Sequence, residues 1–193
     1  MLSRTTKQHI VQFILEKRAP EGFSPCRGFK VSGAASAFLH RPFPEIRRFI
    51  SSNFADVSVQ IAGPDDGSPE MAWGDTFFMH KDDAHQFPFA TIVTKDYGDF
   101  DNLSNLNRPD VWRLNIGVSK ETFDRLFPAG QNCDFAALDV LMPHPVYGPD
   151  HFVCILNPSE SSFEEIKPLL DEAYRIAAGR VERRGARRQQ KSR

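Results

Sequence analysis

The segment "VWRLNIGV" (111–118) alternates without a slip. Trp112, Leu114, Ile116 and Val118 fall on one side, and Val111, Arg113, Asn115 and Gly117 on the other. Successive side chains of a strand point to opposite faces. One face here is plainly core, while the other must accommodate an arginine and an amide. A strand buried on both faces of a parallel sheet would read instead as one apolar run. This strand therefore belongs to a sheet whose two faces differ.

Neighbouring segments support that sheet. "DTFFMH" (75–80) and "FATIVTKD" (89–96) are β-branched and aromatic, joined by the polar turn "KDDAHQFP". "VSVQIAG" precedes them as a short strand, and "HFVCILNP" (151–158) follows as one that ends at Pro158. Helices are predicted where apolar residues recur at i, i+3, i+4: Ile46, Phe49 and Ile50 near Pro44, then Phe123, Leu126 and Phe127 after a Ser119 cap. "CDFAALDVLM" reads as a further helical turn or two. A capping box, Ser161 with Glu164 or Ser162 with Glu165, opens the last helix, which buries Phe163, Ile166, Leu170, Ala173 and Ala177. Pro168 inside it predicts a kink or a break. The expected class is α+β, a single domain with an antiparallel sheet and helices packed mainly on one face.

Three regions follow. Residues 1–42 read as an N-terminal extension, a short basic amphipathic helix and a Pro/Gly/Ser-rich linker. Its first 18 residues resemble an organellar presequence, although an ordinary amphipathic helix explains them as well. Residues 43–179 form the domain, and 180–193 a basic tail without apolar period, expected to be disordered. The net charge of −1 conceals this division: residues 1–30 carry +4 and 180–193 carry +6, which leaves −11 on residues 31–179. An acidic body repels phosphate, so nucleic-acid contact is expected only through the tail.

Phenylalanine dominates the aromatics, 17 against 3 Tyr and 2 Trp, and lacking a polar handle it should be core. Cys26, Cys133 and Cys154 are scattered and odd in number, which fits a reducing, cytoplasmic setting. No apolar run approaches a membrane span.

Candidate chemistry is sparse. "LMPHPVYGPDHF" (141–152) crowds His144, Tyr147, Asp150 and His151 between prolines. Prolines on both sides push His144 towards extended backbone, which suits an imidazole that caps backbone groups. A catalytic alternative makes His144 a general base oriented by a nearby aspartate. No zinc spacing is present, and Asp96, Asp99 and Asp101 miss the calcium-loop pattern, with Ser104 and Asp110 where Gly and Glu are needed. No phosphate-loop, dinucleotide or nucleophile-elbow motif occurs, so neither metal nor cofactor is expected. Arg113 and Asn115 project together from the second sheet face, where Asp75 and Asp96 could lie beside them and His144 and Tyr147 could form a rim. That set suits a small polar or anionic ligand. A register-fixing salt bridge is the structural alternative.

The blocks "DDGSPEMAWGDTFF", "FPFATIVTKDY", "RPDVWRLNIGV", "MPHPVYG" and "FVCILNPS", in this order, resemble an uncharacterised bacterial domain-of-unknown-function family, over about Pro44 to Arg180. The ending "SFEEIKPLLDEAYRIA" is more weakly similar to MmcQ/YjbR-type domains. That second resemblance implies a compact α+β fold and a DNA-binding label by analogy, and neither resemblance supplies catalytic residues. The expected function is a binding module for a small polar or anionic ligand or a protein partner. The alternatives are an enzyme built on His144 and weak nucleic-acid contact through the tail.

Overall fold

A computed structural model describes residues 43–83, 87–128 and 133–191, so the expected N-terminal extension lies outside the described residues. Helix α1 (Phe43–Asn53) leads into β1 (Val57–Ile61), β2 (Thr76–His80), β3 (Ala90–Val93) and β4 (Arg113–Gly117). Helix α2 (Lys120–Leu126), β5 (Met142–Pro143), β6 (Phe152–Leu156) and α3 (Glu160–Lys191) complete the chain. The six strands form one antiparallel sheet in the order β1-β2-β3-β4-β6-β5. The expected α+β class holds.

The alternation read from 111–118 divides the molecule. Phe78, Ile92, Leu114, Ile116, Val153 and Ile155 face α1 and α3, where they meet Ile46, Ile50, Phe163, Ile166 and Leu170 in the main core. Phe77, Met79, Val93, Cys154 and Leu156 face the other way, into a second core with Tyr97, Leu106, Val111 and Cys133. Loops cover this second face. Arg108 ties two of them together, donating to the carbonyls of Ser104 and Ala136 at 3.3 and 2.9 Å.

Several local expectations need correction. Residues 133–142 contain no helix; they run as loop into β5, with a bridge from Leu138 to Leu156. Ser119 caps α2 as expected, accepting from Thr122 N at 3.1 Å. The cap of α3 is Ser159, whose Oγ accepts from Ser162 N, rather than Ser161 or Ser162. Helix α3 also runs unbroken through Pro168 and on to Lys191.

The segment expected to be a disordered tail is thus helical over 180–191. Part of it is held to the body. Arg184 Nη1 lies 2.5 Å from Oδ1 of the buried Asp83, and the Arg180 guanidinium sits 4.8 Å over the Phe87 ring. Removing Arg184 deprives a buried carboxylate of a cation, although the half-exposed arginine is screened by water. Arg184→Ala should therefore lower stability by about 1–2 kcal/mol. Truncation after Gly179 should cost somewhat more, measured by urea unfolding. An unchanged midpoint for both would mean that this segment is merely solvated.

Candidate functional site

Strand β4 carries Arg113 into the second face, where it is fully buried. A buried guanidinium requires a carboxylate. Its partner is Asp101, bound through Nη1–Oδ1 at 3.1 Å and Nη2–Oδ2 at 2.5 Å. Ser104 Oγ accepts from Nη1 at 2.7 Å, and Asn115 Oδ1 from Nε at 2.8 Å. Asn115 in turn donates to Thr91 Oγ1 at 2.8 Å. Burial alone would raise the Asp101 carboxyl, but the charge of Arg113 beside it holds it below its ordinary value.

Asp101 reaches this position through a tight reversal. Gly98 takes a left-handed φ of 54°, Phe100 N bonds Tyr97 O, and Tyr97 N bonds Asp101 O at 2.9 Å. Glycine pays no steric penalty in that conformation. Asp96 then spans the legs of the same loop, accepting from Leu106 N at 2.8 Å while its own amide reaches Asn107 Oδ1. It stabilises the loop rather than meeting Arg113.

Asp75, at the start of β2, is a second anchor for the loop. Its Oδ1 accepts from Thr94 N and Thr94 Oγ1 at 2.8 and 2.9 Å, and its Oδ2 from the Tyr97 hydroxyl. Burial outweighs these donors and pushes the carboxyl up to about 6. Asp75 lies behind Tyr97 and does not line the site.

His144 answers the question of the proline-rich loop. Its Nδ1 accepts from the amides of Val146 and Tyr147 at 3.1 and 3.0 Å. Nitrogen that accepts carries no proton, so the ring is neutral with its hydrogen on Nε2. Burial, with the charge of Arg113, holds His144 well below its ordinary pKa. The lone pair that a general base would use is thereby engaged with backbone. His151 packs edge-on to Phe123 and does not join His144.

These groups enclose a cavity of about 40 Å³. Thr91, Asp101, Arg113, Asn115 and His144 contribute its polar side, and Phe77, Pro88, Val93, Phe152 and the rings of Tyr97 and Tyr147 its apolar walls. Gly117 makes room for one wall: a Cβ there would come within 3.0 Å of the Phe152 ring. Of the anticipated residues, Arg113, Asn115, His144 and Tyr147 meet at one cavity, whereas Asp75 and Asp96 hold the loop that roofs it. Asp101, Thr91 and Tyr97 were missed. The signal for Asp101 was an acidic loop running directly into a strand with an inward-pointing arginine. Among the described residues, no group of three or more His, Cys, Asp or Glu side chains is placed to hold a metal.

Two outcomes are expected. Arg113→Met should cost about 3–5 kcal/mol by stranding the Asp101 charge. The double variant Arg113→Met/Asp101→Leu should recover much of that loss in a denaturation cycle; two additive losses would show that the pair is not coupled. Asp75 has a raised folded-state pKa, so its stabilising contribution is complete below the unfolded value of 3.8 and is lost as pH rises through about 6. At about 1.4 kcal/mol per pH unit, the fall is on the order of 3 kcal/mol. The stability difference between wild type and Asp75→Asn should carry this fall between pH 4 and 6, and a flat difference would oppose it.

The chain matches the Family of unknown function (DUF6194) over residues 42–186 and belongs to that family. The resemblance to an uncharacterised family is thus borne out, while the similarity to MmcQ/YjbR-type domains gains no support. No curated protein and no solved structure matches the chain. No helix among the described residues is long and apolar enough to cross a membrane.

Proposed function

We propose that this member of the DUF6194 family is a binding module that takes a small ligand, or one projecting group of a protein partner, into the cavity over β3, β4 and β6. One observation carries this reading: a charge-balanced Arg113–Asp101 pair and the neighbouring Asn115 line a cavity whose walls are mostly aromatic rings. Ligand sites commonly combine apolar walls with a few fixed polar groups. A small polar ligand suits this balance better than an anion, because Asp101 already neutralises Arg113.

The rival reading, an enzyme with His144 as general base, has less support. A base needs an accessible lone pair, and the one on Nδ1 serves two amides. Nucleic-acid contact through residues 180–193 is likewise less supported, since Arg180 and Arg184 are committed to Phe87 and Asp83. Cys133 and Cys154 are buried and outside any disulfide, which fits the reducing cytoplasmic setting we propose.

The test is a thermal-shift screen of small polar molecules on the wild type and on Val93→Met, which narrows the cavity. A ligand at a hundred times its dissociation constant should add roughly 2.7 kcal/mol, a shift of several degrees. The shift should shrink in Val93→Met. A shift that survives unchanged would place the ligand elsewhere.

A further inference from the structure

We infer that the group bound in this cavity is an uncharged acceptor oxygen, as in a carbonyl or carboxamide, received by Nη2 of Arg113 and Nε2 of His144. The inference rests on the cavity being a ligand site, and it names the chemistry of that ligand.

Arginine has five N–H groups. Here Nε serves Asn115, both hydrogens of Nη1 serve Asp101 and Ser104, and one hydrogen of Nη2 serves Asp101. One Nη2 hydrogen remains. On His144 the two amides at Nδ1 assign the ring proton to Nε2. That nitrogen lies 3.8 Å from Asp101 Oδ2, beyond hydrogen-bond length. Both side chains are no more than 1% exposed, and both line the cavity. Two donors therefore stand beside one carboxylate oxygen, and neither has a further acceptor among the described residues. Buried donors left unmet are costly, so an acceptor delivered by a ligand is rewarded.

Charge selects among acceptors. Arg113 and Asp101 cancel, and His144 is neutral, so the site offers no net attraction to an anion. A carboxylate placed on these donors would also confront Asp101 Oδ2 at close range. A neutral carbonyl meets the same donors without that repulsion. The volume of about 40 Å³ is room for roughly three waters, the size of a small head group. The remainder of a larger ligand would run along the rings of Phe152 and Tyr147.

Three planar probes of one shape separate the possibilities: acetamide, acetate and isobutene. Each is titrated into the full chain carrying labelled threonine and valine methyls, with Thr91 and Val93 as reporters. Acetamide should bind about five-fold or more tightly than isobutene, the value of one or two modest hydrogen bonds, and acetate should bind more weakly than acetamide. His144→Asn keeps a side-chain acceptor for the Val146 and Tyr147 amides while withdrawing the Nε2 donor. In that variant acetamide should fall towards isobutene. Equal binding of all three probes would overturn the acceptor inference and leave the cavity reading intact. Tightest binding by acetate would make this an anion site and overturn the choice of a neutral group. No response to any probe would remove the cavity reading, and this inference with it.

Discussion

The Arg113–Asp101 ion pair decides how the second face of the sheet is built. A fully buried guanidinium cannot stay unpaired, and β2, β3 and β6 offer it no carboxylate across the cavity face. The acid comes instead from the loop before β4, so the pair is also the pin that closes the loop over the sheet. Tyr97, Ser104 and Leu106 follow Asp101 down onto that face. Asp75 and Asp96 secure the loop's ends, one from the sheet and one within the loop. Breaking a buried ion pair of this kind is costly because it leaves the other charge stranded, whatever the intact pair contributes net.

Much of the fold was legible because period two is unambiguous when one face is dry. The 111–118 alternation reappears as the separation of the two cores, with Leu114 and Ile116 in one and Arg113 and Asn115 outside it. What could not be read was the roof. Loop 94–111 has no periodicity, and its four acids looked alike: Asp101 became the ion-pair partner while Asp96 became a loop strut. Nothing local distinguishes them, because the difference arises from the Gly98 reversal and from the position of β4. The helix beyond Gly179 was missed for a related reason. Its composition is that of a solvated tail, and its anchor, Asp83, lies 101 residues away in sequence. Residues 133–142 show the converse error: local helix-like spacing yielded to bridging along β6.

The site was half legible. Arg113, Asn115, His144 and Tyr147 converge as their sequence context suggested, because a strand and a proline-framed turn fix directions locally. The proton position on His144 was not readable, since it depends on two backbone amides that come into place only when the turn closes. Aromatic neighbours complete the picture: the Tyr147 ring centroid lies 4.9 Å from that of His144 and 6.1 Å from that of Phe152. Such contacts hold the turn in register with the first residue of β6.

The strand order has a consequence for the growing chain. Strands β1 to β4 are sequential neighbours and can zip together as a meander while the rest is still being made. Their dry face is then covered only in part, by α1, because β6 and α3, which flank it and complete its cover, are the last elements to be synthesised. The Arg113–Asp101 pair lies wholly within the early part. The polar face can therefore be organised before the apolar one is fully shielded, and a nascent chain stalled near residue 150 would present Phe78, Ile92, Leu114 and Ile116 to whatever captures unfinished proteins.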